Sequence, residues 1–201
     1  MSWTYRGITG NGKTPTCLGK FEGKTLAVMG GGRCVWDDFT ALAAQGFSGH
    51  IMCVNDIGMY LQKPFHHWVS LHPDYLIVWK KLLDDHGVSV AEIATHTYRE
   101  DRPPHTGWRL GNRAAFSGLF AAQVGVCLGY DEVVLCGIPA DDSGRFFDPP
   151  WAKGNHDSHH AKAAFSEAVA HAPEMGKRVR SMSGWTKQLF ETEKSKHANR
   201  R

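Results

Sequence analysis

No apolar run in this 201-residue chain approaches the ~20 residues that a membrane-spanning helix needs, which argues against a helical membrane protein. The five cysteines (Cys17, Cys34, Cys53, Cys127 and Cys136) are scattered, odd in number and without a CxxC pair. That usage argues against a disulfide framework and for reduced thiols. Charge imbalance is small as well: the formal net charge is +3, with 12 histidines uncounted. Such a value suits a protein that handles anionic substrates but is too weak to argue nucleic-acid binding. No GxSxG elbow is present for a serine hydrolase, and no internal repeat is visible. The opening residues, MSWTYRGITG, do not read as a signal peptide, and the expected location is the cytoplasm.

What is present is the composition of an ordinary soluble chain, 42% hydrophobic and 21% charged, long enough for one domain with a sizeable core. The organising stretch is Leu26 to Arg33, LAVMGGGR, followed by Val35 to Gln45, where Trp36, Phe39, Ala43 and Ala44 fall near helical spacing. Strand, glycine turn and helix in this order present backbone N–H groups and a positive helix end to a phosphate. A tight strand-to-helix turn without a ligand would read the same way. Upstream, Gly7-Ile8-Thr9-Gly10-Asn11-Gly12-Lys13-Thr14 matches GxxxxGK(S/T) letter for letter. Only six residues precede Gly7, and Pro15, Gly19 and Gly23 follow where a helix is required. Residues 1–24 are therefore read as a glycine-rich arm rather than a phosphate-binding loop.

Apolar patterning predicts strands at Leu26–Met29, His50–Val54, Trp68–Leu71, Ile93–Thr97, Val133–Cys136 and Arg178–Met182. Helices are expected at Val35–Gln45, Tyr75–Asp85, Ala114–Leu128, His159–Ala172 and Trp185–Glu191, with loops at 99–113 and 143–155. The globular domain is placed at 25–190, and residues 191–201 are read as a frayed basic tail. Strands alternating with helices imply an α/β domain with a mostly parallel sheet of about five to six strands. Such sheets bind ligands beyond the C-terminal ends of their strands. Gly30, Gly31, Gly32, Arg33, Asn55, Asp56, His72, Gly137 and Asp141 all collect at that edge, and they are the predicted nucleotide-binding residues.

Several of these carry two readings. Arg33 suits bidentate pairing with a phosphate, or a surface position. Asn55 offers donor and acceptor to a ribose hydroxyl or base edge, but Asn55 and Asp56 also suit helix caps. His72 stands at a strand end as ligand or structural histidine. Asp141, Asp142 and Asp148 could hold Mg²⁺ together with phosphate oxygens, or form a solvated acidic loop. Phe146, Phe147 and Trp151 could close over a base or sugar, or anchor their loop. The densest feature is Asn155-His156-Asp157-Ser158-His159-His160. One reading is a general base drawn from His156, His159 and His160. A metal site is a second, although His156 and His160 lack the intervening glutamate of a zincin helix. A helix capped by Asp157 or Ser158, with surface histidines, is the third.

The order of these features resembles the small Rossmann-like bacterial sialyltransferases and the related hydroxymethylpterin diphosphokinase-like proteins found beside glycan and phage genes. The matching segments are MGGGR (29–33), CVND (53–56), FSGLFAAQVGVCLGYDEVVLCGIPAD (116–141), GRFFD (144–148) and HDSHHAK (156–162). The resemblance implies a single Rossmann-like three-layer domain and a distant, phage-type family member. It also implies that Gly30 to Gly32 and Asn55 hold a nucleotide phosphate, and that His159 or His160 deprotonates the acceptor hydroxyl. The turn reads Gly-Gly-Arg-Cys where that family has an Asn-Gly-Pro-Ser type, and its leaving-group tyrosines are unmatched at Arg145 and Phe146. The expected activity is a nucleotide-dependent, glycosyltransferase-like transfer from a nucleotide or nucleotide-sugar donor, with a glycan or modified nucleobase as acceptor. A non-catalytic nucleotide-sequestering protein and a Mg²⁺-dependent phosphotransferase are the alternatives.

Overall fold

A computed structural model of the chain describes residues 5–7, 21–90, 92–97, 108–110, 116–149, 158–175 and 177–198. In chain order the elements are β1 (Tyr5–Gly7), β2 (Thr25–Met29), α1 (Val35–Ala44), β3 (His50–Val54), a 3₁₀ turn (Asn55–Met59), β4 (His67–Val69) and α2 (Pro73–Asp85). They continue with β5 (Ala94–His96), β6 (Trp108–Leu110), α3 (Ser117–Leu128), β7 (Glu132–Cys136), α4 (Ser158–Met175), β8 (Val179–Ser181) and α5 (Gly184–Ala198). Six of the strands form one parallel sheet in the order β5-β4-β3-β2-β7-β8. This is a Rossmann-like three-layer α/β domain.

The period of two along β2 builds both layers of the core. Leu26 and Val28 face α3, α4 and α5, where Phe120, Val124, Ala168 and Phe190 meet them. Ala27 and Met29 face α1 and α2, against Val35, Phe39, Leu42 and Leu76. A strand covered on both faces reads as a continuous apolar run, which is why LAVM and VVLC stood out. Helix α3 is buried on nearly every side, and a Cβ added at Gly125 in its middle would lie 2.7 Å from Leu26 Cδ2. That close approach to the sheet accounts for a glycine at a helix interior, where it costs propensity.

Two sequence readings change here. Strand β6 lies inside the segment read as a loop and pairs antiparallel with β1, in register Arg6↔Arg109. A ribbon joined across a hundred residues rests on non-local pairing that local Gly and Pro content hides. Strand β1 is also outside the main sheet, so the chain enters the P-loop look-alike from a two-stranded ribbon and not from a buried parallel strand. Helix α5 runs to Ala198, past residue 190 where the sequence reading ended the domain. Among the described residues no helix is long and apolar enough to cross a membrane.

At the edge where β3 and β4 begin, four histidines gather round Tyr130. The Tyr130 hydroxyl lies 2.6 Å from His50 Nδ1 and 2.8 Å from His67 Nε2, and His67 Nδ1 lies 3.1 Å from His96 Nε2. His66 stacks on His50 at 4.0 Å, and Lys24 Nζ approaches His50 Nε2 at 3.5 Å. Because an ammonium can only donate, one head-to-tail order satisfies every contact. Lys24 donates to His50, His50 to Tyr130, Tyr130 to His67, and His67 to His96. All of these rings must then be neutral. Burial, with the neighbouring His66 and Lys24 charges, lowers His50 to about 4; burial and the neighbouring His50 and His66 lower His67 to about 3. His96 is pushed well down by burial.

In the unfolded chain these rings take up protons below pH 6.5, the ordinary value, whereas the folded chain does not until about pH 4 or 3. Unfolding therefore binds protons in that window, and stability present above pH 6.5 is lost as pH falls through it. Urea denaturation at pH 7.5 and pH 5.0 should show a lower unfolding free energy at the acid value. Tyr130→Phe, which strands two ring nitrogens, should cost about 1–3 kcal/mol at neutral pH.

Candidate functional site

Chain connections leave β2 towards β3 and leave β7 towards β8, on opposite sides, so a crevice opens between the C-terminal ends of β2 and β7. The two strand exits interlock there. Gly30 N–H donates to Cys136 O and Gly32 N–H to Gly137 O, both at 2.8 Å. A Cβ on Gly32 would come 2.7 Å from Gly137 O and Pro139 Cδ, and one on Gly30 would overlap Ile138. These glycines are required for the close approach of two backbones. Gly137 itself has φ +66°, the left-handed conformation that glycine adopts without strain. The buried carboxylate of Asp38, in the first turn of α1, secures the junction. It accepts the Gly137 N–H at 2.8 Å and the Ser183 hydroxyl at 2.7 Å. Cys34 lies 2.9 Å from Ser183 Oγ, and burial pushes its thiol up to about 12, so it stays protonated and is no nucleophile.

The interlock alters the expected phosphate cradle. Two of the three glycine amides of the turn are committed to the Cys136 and Gly137 carbonyls at the exit of β7, and Arg33 N–H donates to Gly144 O at 3.0 Å. Among the described residues the Gly31 amide has no backbone carbonyl partner. The Arg33 guanidinium also turns away from the expected role, donating from Nη2 to Pro149 O at 3.0 Å and so clipping the 144–149 loop. Arg145 lines the cavity instead, and its Nε would stand 4.0 Å from a Cβ on Gly31. An isolated bridge between Gly32 and Arg145, with Phe146 N–H donating to Gly31 O at 3.1 Å, fixes this loop on the glycine turn.

A cavity of about 390 Å³ occupies the crevice. Two non-glycine residues with positive φ among those described, Asn55 (φ 54°) and Ala140 (φ 51°), both line it. Left-handed backbone costs an L-residue energy and concentrates at functional sites. Asn55 is held there from two sides: its C=O accepts from Trp68 Nε1 at 2.6 Å and its Oδ1 from the Ser70 hydroxyl at 2.9 Å. The Nδ2 donors are thereby left for the cavity. The start of α3, at Phe116, Ser117 and Gly118, forms another wall, and Glu167 accepts the Phe116 N–H at 2.9 Å. His72, Asp141 and His160 complete the lining that the sequence anticipated.

Besides Arg33, two predicted residues stand elsewhere. Asp56 sits in the 3₁₀ turn outside the lining, and His159 is exposed on α4 beyond it, its ring 6.3 Å from that of His160. His156 lies outside the described residues, as do Asp157 and Trp151. On a helix, adjacent residues diverge by 100° or so, hence His159 and His160 cannot both face one cavity. The acidic loop spends its carboxylates on itself: Asp141 Oδ1 accepts Ser143 N–H and Asp148 Oδ2 accepts Arg145 N–H. Among the described residues no three His, Cys, Asp or Glu side chains are grouped to hold a metal ion. Arg145, Ala140, Ser117 and Gly118 are among the lining residues that sequence reasoning did not assign. Ser-Gly opening an apolar helix, and an arginine after a loop glycine, were the available signals.

No family model and no curated protein matches this chain. Among solved structures, its fold is similar to that of the sialyltransferase CstII from Campylobacter jejuni, determined in complex with a substrate analogue, CMP-3FNeuAc. The two share 12% sequence identity at a TM-score of 0.53, covering 83% of this chain and 87% of that one. At this identity the relationship is a distant one of fold. It supports neither a phage-type nor a kinase-like assignment of this chain.

The interlock makes two stability predictions. Gly32→Ala should lower the unfolding free energy by about 1–3 kcal/mol through overpacking, read by thermal or urea melting. Asp38→Ala should cost about 2–3 kcal/mol because the Gly137 amide is left buried without an acceptor.

Proposed function

We propose that this chain is a nucleotide-dependent, glycosyltransferase-like enzyme that takes a nucleotide-sugar donor in the cavity between the exits of β2 and β7. One observation carries the reading. A cation (Arg145), a helix start (α3), two strained residues (Asn55 and Ala140) and a histidine from a further helix (His160) converge on one cavity at the topological switch point. The CMP-sugar analogue bound by the fold neighbour supports a donor of the same general kind.

In this reading Asn55 Nδ2 donates to the ribose or base, while the Gly31 amide, the first amides of α3 and Arg145 surround the donor phosphate. Gly30, Gly32 and Gly137 shape the floor, and His72 and Asp141 stand at the rim. The bond between the sugar carbon and the phosphate oxygen breaks as a bond forms from that carbon to the acceptor oxygen. His160 accepts the acceptor's hydroxyl proton, and the nucleotide departs as an anion held by Arg145 and α3. Catalysis is then positioning together with electrostatic stabilisation of the leaving phosphate.

Calorimetry with a panel of nucleotides and nucleotide-sugars tests the reading, and failure to bind any of them overturns it. Binding with no product identifies the sequestering alternative instead. His160→Ala should reduce transfer by about 10²–10⁴-fold with donor affinity little changed, and by far more than His159→Ala. Arg145→Ala should weaken donor binding and slow transfer together, by about 10²–10³-fold in rate.

A further inference from the structure

Beside the cavity stands a group of aromatic rings that donor binding leaves unused. Trp36 comes from the first turn of α1, Tyr60 from the end of the 3₁₀ turn, and Phe146 and Phe147 from the loop before α4. Phe146 is the hub, with ring centroids 5.0 Å from Tyr60, 5.2 Å from Phe147 and 6.0 Å from Trp36, all edge-on at 73° to 82°. The outer three remain open to solvent, at 37% for Trp36, 52% for Tyr60 and 49% for Phe147. Three large rings gathered at the surface keep apolar area wet that a fold would ordinarily bury.

Two connections tie this surface to the cavity. The Phe146 amide is bonded to Gly31 O, on the turn that lines the cavity floor. Arg145, a lining residue, lies with its guanidinium carbon 5.1 Å from the Phe147 ring centroid. The surface therefore begins where the donor cavity ends, which is where a transfer reaction needs its second substrate.

We propose that Trp36, Tyr60, Phe146 and Phe147 form the acceptor subsite and that the acceptor is a carbohydrate, an inference that rests on the transferase reading above. The ring arrangement favours a sugar over a nucleobase. Edge-on rings give a stepped set of separate faces, suited to the C–H faces of successive pyranose rings, whereas stacked bases call for near-parallel platforms. Asp37, exposed in the same first turn of α1 as Trp36, adds negative charge that disfavours a phosphate backbone. Arg145 would serve both substrates, facing the donor phosphate from one side and carrying the Phe147 ring on the other.

The test measures two affinities on the full chain and on Tyr60→Ala and Phe147→Ala, whose exposed rings can be removed with little cost to folding. The probes are a panel of nucleotides and a panel of oligosaccharides ending in galactose, N-acetylglucosamine or a sialic acid. Each variant should weaken oligosaccharide binding by about fivefold or more and raise the acceptor KM, while Tyr60→Ala keeps nucleotide affinity within about twofold. Unchanged oligosaccharide affinity in both variants overturns the proposal. So does nucleotide binding without any oligosaccharide binding, or a single-stranded oligodeoxynucleotide held by these rings in place of a sugar. Absence of nucleotide binding by the unaltered chain is a different result and removes the transferase reading itself.

Discussion

Two backbone turns packed against each other without side chains between them govern this molecule. Where β2 and β7 end, Gly30 and Gly32 donate to Cys136 O and Gly137 O, and any Cβ at those glycines would overlap the opposite turn. Asp38 closes the junction from α1, taking the Gly137 amide and the Ser183 hydroxyl, so that three loops leaving the sheet are held by one buried carboxylate. The contact is short because the central strands of a parallel sheet lie side by side, and only glycine lets their exits stay at that spacing while turning apart.

Much of the local chemistry follows from that junction. Since the Gly30 and Gly32 amides are bound to carbonyls, a ligand at the crevice must find its donors in other places, and Gly31, Asn55, Arg145 and the start of α3 are the groups that line it. Arg33, next to the glycines in sequence, is turned outwards to Pro149 and ties down the loop that carries Arg145 and Phe146. The strained backbone of Asn55 is held by Trp68 and Ser70, both from the β4 side of the sheet. The opposite edge has a different character. His50, His67, His96 and Tyr130 are joined there in one hydrogen-bond order, the last three of them buried, and they brace the starts of β3 and β4.

The parallel α/β fold was legible in the chain because its signals are local. LAVM, HIMCV and VVLC are apolar runs of strand length, separated by helices with their own periodicity, and such runs need both faces covered. The site edge was legible for the same reason, since residues following a strand in a parallel sheet emerge on one side: Gly30, Asn55, His72, Gly137 and Asp141 do line one cavity.

What the sequence by itself determined was the six strands of the main sheet, their common direction and the edge at which functional groups collect, all consequences of periodicity and chain direction. Only the tertiary structure decided which groups at that edge face the cavity. It turned Arg33 away and brought Arg145 in, separated His160 from His159, left Asp56 outside, and paired β1 with β6 across a hundred residues. It also gathered Trp36, Tyr60, Phe146 and Phe147 from three separate segments into one surface. Side-chain direction depends on the backbone dihedrals of each turn and on neighbours distant in the chain, and neither leaves a mark in residue spacing.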